Sequence, residues 1–452
     1  MDAGAAGTAL TKRWSGLQMG ELNYLSGFGN EFESEALAGA LPQGQFSPQR
    51  VPFGLYPEKF SNSAFTAPRV ENRRTWFYRI RPSVKQGEFV PMDAGLLESG
   101  PITGAPTPPK PLRWDPPEIP SGGHDFVDGL VTIAANGRVS EQIGMGAHIY
   151  TATKSMDHRY FVNADGEMLI VPQAGGLQVY TECGVLEVAP GEIAVIPRGM
   201  KFKIDLIDAT ARGYVCENYG AFLRLPERGP VGSDGFANDR DFFCPVAHFV
   251  DDDSECELVC KFQGALYRCV MGHCPLDVVA WIGDAVPYKY DLNRFNTMNT
   301  VSYDHADPSI FTVLRSPSDT LGVANVDLVI FPSRWVVAEN TFRPPWYHRN
   351  VMSEFMGLIY GQYEARKEGF APGGIGLHNS MVPHGPDLKV YEGGTGAQLE
   401  PVRVENSLSV MFETRFVLQV TRWALESSYL QQDYRENTWG GLERHFDPSA
   451  PR

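Results

Sequence analysis

The sequence predicts a mainly β protein built from two β-barrels or sandwiches, with loop-rich arms and few short helices. Its apolar segments are short and rich in β-branched and aromatic residues, which favour strands. They recur roughly every ten residues between glycine, proline or aspartate, a spacing typical of sandwiches and barrels. Few windows show a helical period, and we predict short helices only over residues 34–41 and 421–430.

Strand-like segments run through most of the chain. Examples are residues 177–180, 193–196, 278–281 and 416–420. Residues 101–120 differ, because they hold eight prolines. Proline lacks the N–H that a central strand needs, so we expect an extended arm or surface loop there.

One motif in the first half resembles part of the cupin signature. Gly191-x5-Pro197-x-Gly199 lies between strand-like runs and matches the turn of the second cupin half-motif. Phe202 stands where a cupin carries its metal-binding histidine, and a phenyl ring offers a metal no lone pair. We therefore expect this barrel to bind no metal and Phe202 to be a core residue.

The second half carries a counterpart of the first cupin half-motif. His348-x-Asn350-x3-Glu354-x6-Gly361 follows its spacing, with Asn350 in the place of the second histidine. The two half-motifs predict two cupin-like domains. Residues 1–292 would form a scaffold domain with a loop-rich arm, and residues 293–452 a catalytic domain with the metal.

Composition excludes several classes of protein. The net charge of −15 argues against a nucleic-acid partner, because phosphate binding needs a basic surface. We find no apolar run of about 18 residues that would span a membrane, and no secretory signal at the N-terminus, so we expect a cytoplasmic protein. The seven cysteines are odd in number. Cys256 and Cys260 have no second Cys/His pair at zinc-binding spacing, so we expect reduced thiols.

Four of the ten histidines fall close together in the second half. They are His305, His348, His378 and His384, and glycine and proline surround them. Histidines held on such loops suit a site at the mouth of a barrel.

Three side chains form the favoured metal site. On one straight strand His348 and Glu354 would lie roughly 20 Å apart, so the chain must turn between them, and Asn350 suits that turn. With His384 as third ligand, two imidazoles and one carboxylate make the facial triad of non-haem Fe(II) oxygenases. The spacing leaves a second set open, in which His378 replaces His384 and His384 lies outside the coordination sphere.

Longer strings of sequence are similar to the homogentisate dioxygenase family. They are residues 26–31 (SGFGNE), 304–314 (DHADPSIFTVL), 342–345 (FRPP), 348–350 (HRN), 352–357 (MSEFMG) and 383–387 (PHGPD). The resemblance covers nearly the whole chain after about Gly20. It implies Fe(II) as cofactor, homogentisate and O2 as substrates, and 4-maleylacetoacetate as the product, within tyrosine and phenylalanine catabolism. It also implies a hexamer built as a dimer of trimers.

The resemblance assigns roles to individual residues. His348, Glu354 and His384 match the iron ligands of the family, and His384 also lies beside the substrate. His305 matches its active-site base, a role suited to a neutral imidazole with a pKa of about 6.5. Tyr363 and His378 match residues that contact substrate or bound oxygen.

Two points stay open. Tyr363 lies nine residues after Glu354, so a regular strand would point it to the opposite side, and a bulge near Gly361 is needed to re-aim it. The substrate carboxylate has only weak candidates for its partner. These are Arg343, Arg349 and Lys367.

Two rival classes remain at this point. One is a cupin enzyme of another type, such as an isomerase or a different ring dioxygenase. The other is a metal-free double cupin that binds or stores a small molecule. The complete set of candidate ligands in the second half argues against the latter.

Overall fold

The protein is described from a computed structural model that covers residues 22–229, 236–297, 311–336, 346–366, 368–398 and 400–450. Within these ranges it contains 28 strands and three short α-helices, so the prediction of a mainly β fold with few helices is confirmed. None of the helices in these ranges is long and apolar enough to cross a membrane.

The first twenty strands belong to the N-terminal half. They are β1 (Tyr24–Ser26), β2 (Phe32–Glu35), β3 (Tyr56–Ser61), β4 (Arg74–Arg79), β5 (Val90–Met92), β6 (Leu112–Trp114), β7 (Leu130–Ala135), β8 (Met145–Ala152), β9 (Arg159–Asn163), β10 (Glu167–Ala174), β11 (Leu177–Thr181), β12 (Gly184–Val188), β13 (Glu192–Ile196), β14 (Lys201–Leu206), β15 (Ala211–Asn218), β16 (Phe242–Pro245), β17 (Cys256–Phe262), β18 (Ala265–Met271), β19 (Val278–Gly283) and β20 (Tyr288–Asp291). The remaining strands are β21 (Thr312–Pro317), β22 (Ala324–Phe331), β23 (Arg334–Val336), β24 (Ser353–Tyr360), β25 (Ile375–His378), β26 (Val402–Val404), β27 (Leu408–Thr414) and β28 (Gln419–Val420). The helices are α1 (Leu388–Gly396), α2 (Arg422–Glu426) and α3 (Tyr434–Trp439).

Three open sheets form the N-terminal half. A nine-stranded sheet has the order β1-β16-β20-β13-β10-β15-β8-β7-β28, and a seven-stranded sheet has the order β12-β11-β14-β9-β17-β18-β5. One continuous hydrophobic cluster contains side chains from both, such as Ile170 of the first and Val179 of the second. The two sheets therefore pack as a sandwich, while β2-β19-β4-β3 forms a smaller third sheet.

The C-terminal half is centred on a six-stranded sheet with the order β21-β22-β27-β24-β25-β6. Its edge strand β6 comes from the N-terminal half, and β28 of the C-terminal half pairs in return with β7. The halves thus exchange one strand each across the predicted boundary at residue 292. The division into two domains stays a prediction.

Strand alternation gives this sheet two different faces. Phe355 and Ile359 of β24 belong to the main hydrophobic cluster shared with the nine-stranded sheet. Met356 and Leu358 belong to a separate cluster on the opposite face. Glu354 lies two residues before Met356 and so shares its face. This second face, turned away from the N-terminal sandwich, carries the candidate site.

Two local predictions were wrong. Residues 34–41 begin within strand β2 and continue as turns rather than a helix. The proline-rich stretch 101–120 is not all surface loop, because Leu112–Trp114 is a buried edge strand. An edge position needs fewer backbone donors, which allows a strand among prolines. The helix predicted at 421–430 is present over Arg422–Glu426.

The cupin-like turn in the N-terminal half has the expected backbone shape. Gly191 and Gly199 flank β13 with φ of 94° and 82°, the left-handed region that favours glycine. Phe202 of β14 is fully buried, with its ring edge-on to Phe161 at 5.6 Å between centroids. Its prediction as a core residue is confirmed.

Replacing Phe202 with alanine should lower the free energy of unfolding by about 3–5 kcal/mol, the usual cost of deleting a buried aromatic ring. Chemical denaturation measures this. Phe446→Ala is the matched control, because Phe446 is 68% exposed and its loss should change stability by less than about 0.5 kcal/mol. Equal effects of the two substitutions would contradict the packing role of Phe202.

Candidate metal centre

A row of polar residues crosses the second face of the six-stranded sheet. It consists of Arg315, Asp327, Glu413, Glu354 and His378, which pair directly across β21, β22, β27, β24 and β25. Side chains directly opposite in antiparallel strands lie about 5 Å apart. The register therefore gathers three carboxylates and one imidazole at one level of the sheet.

A turn before β24 returns His348 to this row. The side-chain oxygen of Asn350 accepts a hydrogen bond from the N–H of Met352 at 3.0 Å, the turn expected for asparagine here. His348 then pairs with His384 through two backbone hydrogen bonds, of 2.9 and 3.1 Å. The chain therefore turns between His348 and Glu354, as predicted.

The structure brings the favoured three ligands together. One atom from each of His348, Glu354 and His384 lies within 4.8 Å of the others. Nε2 of His384 is 3.1 Å from one oxygen of Glu354, and Nε2 of His348 is 4.0 Å from the other. In the described ranges this is the one such group of three, so the geometry favours it over the set with His378.

Both histidines present a lone pair to the centre. Nδ1 of His348 lies 2.8 Å from the carbonyl oxygen of Trp346, and Nδ1 of His384 lies 2.9 Å from that of Val382. A carbonyl only accepts, so each Nδ1 is the donor, and in the neutral imidazole the ring lone pair then lies on Nε2. Nε2 of His384 is buried without a hydrogen-bond partner, although it faces Glu354. Lone pairs that face one another in this way fit a cation between them.

Glu354 is ionised in this setting. Burial acts to raise the pKa of Glu354, but the hydrogen bond from Nδ1 of His378 holds that pKa well below its usual range. Asn350 adds a donor, because its amide lies 3.3 Å from Glu354 and 2.6 Å from Glu413. Burial, together with the charge of Glu354, raises the pKa of Glu413 to about 7.

His378 is close to the centre but oriented differently. Its Nδ1 lies 3.3 Å from Glu354, and its Nε2 is buried without a partner. Burial lowers the pKa of His378 to about 3. His378 is therefore neutral, and its Nε2 is a hydrogen-bond acceptor beside the metal position.

Tyr363 lies on the same face of the sheet as Glu354. Strand β24 ends at Tyr360, and Gly361 turns the chain with φ of 79°. The ring of Tyr363 then packs edge-on against Phe370, with centroids 6.2 Å apart. The chain therefore changes direction at Gly361, as the predicted role of Tyr363 requires. Burial raises the pKa of Tyr363, so its phenol keeps the proton.

A groove of about 530 Å³ adjoins the centre. Its lining includes His348, His384, Arg349, Arg435 and Trp439. Two of the candidate ligands, His348 and His384, thus line an accessible space large enough for a small aromatic molecule.

Of the residues proposed to bind the substrate carboxylate, only Arg349 lies in the described ranges, where it is exposed. Arg343 and Lys367 lie outside them, and so does His305, the predicted base.

Sequence comparison identifies the family. Models of the N-terminal and C-terminal parts of homogentisate 1,2-dioxygenase match residues 23–292 and 293–446. The chain belongs to the homogentisate 1,2-dioxygenase family. Curated members of this family from Rhodopseudomonas palustris (strain BisB18) and Nitrobacter hamburgensis are each 56% identical over 429 residues, or 95% of this chain and 96% of theirs. A homogentisate 1,2-dioxygenase from Bradyrhizobium diazoefficiens is 53% identical over the same share.

Solved structures outside the homogentisate 1,2-dioxygenase family align more distantly. A variant of oxalate decarboxylase from Bacillus subtilis gives a TM-score of 0.27 with 10% identity, over 67% of this chain and 81% of its own. A cupin barrel protein from Leptotrichia buccalis gives 0.25 with 8% identity, over 63% and 88%. Scores this low support no conclusion about the present chain.

Sequence reasoning missed several residues around the centre. Glu413 lies in an otherwise apolar strand, and a single charged residue in such a strand could have indicated a functional position. Arg113, Arg366 and Tyr434 are buried near Tyr363, yet they come from a proline-rich stretch, a loop and the last helix. No motif or spacing in the sequence connects these three segments.

Replacing His384 with alanine should abolish tight binding of one Fe(II) per chain, since it removes one of three ligands. Anaerobic titration followed by elemental analysis measures the stoichiometry. His378→Ala is the matched comparison, and should keep the metal because Nδ1 of His378 is already directed at Glu354. The opposite pattern would favour the alternative ligand set.

Proposed function

We propose that this chain is an Fe(II)-dependent, ring-cleaving dioxygenase that converts homogentisate and O2 to 4-maleylacetoacetate in tyrosine and phenylalanine catabolism. The observation that carries the proposal is the group His348, Glu354 and His384, with its inward-facing lone pairs, in a chain of the homogentisate 1,2-dioxygenase family. The curated relatives named above carry this activity in their names.

The donor set fits iron. Two imidazoles and one carboxylate are the facial triad of non-haem Fe(II) oxygenases, which leaves positions for further ligands. When bound, Fe(II) supplies a centre at which an electron-rich ring and O2 can react with one another. A metal-free storage protein would not need the buried imidazole of His384 aimed at Glu354, because unpaired buried polar groups are costly.

The chain's own residues supply positioning and proton transfer. His305 is proposed as the base that takes the proton from a ring hydroxyl, on the resemblance described above. Nε2 of neutral His378 accepts a hydrogen bond from a hydroxyl of the substrate, a role that suits holding the substrate better than protonating it. The phenol of Tyr363 donates a hydrogen bond to a ring hydroxyl or oxygen.

Membership of the family also suggests an oligomeric state and a cellular location. We propose a homo-hexamer of two trimers in the cytoplasm. Exposed apolar side chains in the N-terminal arm, such as Phe53 and Phe65 at 64% and 73%, are consistent with burial between subunits.

Oxygen consumption tests the proposed function directly. With Fe(II) added, the protein should take up one O2 per homogentisate. Gentisate, a ring dioxygenase substrate with a shorter acid arm, should give a much lower rate. Uptake with gentisate alone would indicate a different ring dioxygenase, and uptake with neither would favour a binding protein.

His305→Ala should keep one iron per chain while the rate falls by about 10²–10⁴-fold, the usual cost of losing a general base. Steady-state kinetics and iron analysis on the same sample measure both quantities. Should iron disappear together with activity, His305 would be a ligand or a structural residue instead.

A further inference from the structure

Behind the metal centre, aromatic rings and guanidinium groups alternate in a column. Phe370, which contacts Tyr363, lies 4.2 Å from the guanidinium carbon of Arg113. That carbon is 4.6 Å from the ring of Tyr434, the first residue of α3. Nη2 of Arg366 donates to the hydroxyl of Tyr434 at 2.9 Å. The column therefore joins β6, α3 and the loop after β24.

The far end of the column holds the loop that carries His384. Nη1 of Arg366 donates to the carbonyl of Gly385 at 2.6 Å. The indole N–H of Trp439 donates to the next carbonyl, that of Pro386, at 2.9 Å. The guanidinium of Arg366 also lies 5.1 Å from the ring of Trp439. The carbonyl groups of the two residues that follow His384 are thus held by one group of side chains.

The loop has little room to move. A Cβ atom added to Gly385 would lie 2.5 Å from a ring carbon of Tyr347, so only glycine allows this approach. Tyr347 directly precedes His348. A shift of residues 383–387 would therefore displace both histidines of the candidate centre together.

The charges of Arg113 and Arg366 are not explained by ion pairing. Both side chains are buried, at 2% and 4% exposure, and in the described part of the chain neither has a carboxylate within 4.0 Å. Nε of each is buried without a hydrogen-bond partner. Asp387 acts on Arg113 electrostatically but not as a direct ion pair. Burying a guanidinium without a carboxylate in contact is costly, and apolar residues of similar size often stabilise such positions equally well.

We propose that Arg366 is a positioning residue for His384, and that Tyr434 and Trp439 of α3 hold Arg366 in place for this task. The inference rests on the proposed role of His384 as a metal ligand. Arg366 acts through backbone carbonyls, so it sets where Nε2 of His384 points without touching metal or substrate. Groups outside a metal's ligand shell that orient ligands typically change metal affinity by about 10–100-fold when lost.

The test is titration of the full-length apoprotein with Co(II), whose visible absorption spectrum reports both affinity and ligand geometry. Arg366→Met keeps the volume and removes all donors. It should weaken Co(II) binding by about 10–100-fold and alter the spectrum. Arg366→Lys keeps one donor for Gly385 and should recover part of the affinity. Tyr434→Phe and Trp439→Phe remove single hydrogen bonds and should give smaller losses in the same direction.

The matched control is Asn437→Ala, an exposed change on the same helix that should leave affinity and spectrum as in the parent. Parent-like Co(II) affinity and spectrum in folded Arg366→Met protein would overturn the inference. If Arg366→Met fails to fold, parent-like binding by both Tyr434→Phe and Trp439→Phe would overturn it equally. A parent that binds no Co(II) would instead refute the proposed metal centre itself.

Discussion

The candidate centre depends on one short contact between two loops. His348 and His384 exchange a pair of backbone hydrogen bonds, and this bridge sets the separation of two ligands that lie 36 positions apart in sequence. Asn350 forms the turn on one side, and Arg366 holds the peptide of Gly385 on the other. The bridge belongs to no sheet, so its geometry is maintained by side chains rather than by neighbouring strands.

The register of the six-stranded sheet supplies the charge that the bridge faces. Three acids, Asp327, Glu413 and Glu354, are direct neighbours across β22, β27 and β24. Like charges opposite one another destabilise a sheet, and here Arg315 pairs with Asp327 at 2.9 Å while burial and Glu354 raise the pKa of Glu413. Glu354 remains as an ionised carboxylate that faces imidazoles and, among the described residues, has no Lys or Arg within 4.0 Å. The proposed Fe(II) would supply a positive charge to this row.

Much of the fold and of the candidate centre could be predicted from the sequence, because strands and turns have local sequence patterns. The strand period, the turn at Asn350 and the grouping of His348, Glu354 and His384 all depend on residues near one another or on a long motif, although metal binding by this group stays a prediction. The column of aromatic rings and guanidinium groups behind the candidate centre could not be predicted. Its members meet only through tertiary packing, and β6 lies in a stretch whose prolines indicate a loop. The helix predicted at 34–41 failed because pairing of β2 with β19 outweighed local propensity.

The exchange of β6 and β28 has a consequence for how the protein unfolds. Each half completes the edge of the other's sheet, with Trp114 buried in one direction and Val420 in the other. Removing either half would strip a strand from its neighbour and uncover backbone groups that need partners. The two halves are therefore expected to melt in a single cooperative transition. A substitution that loosens packing deep in the N-terminal sandwich would then unfold the candidate metal centre together with the rest of the chain.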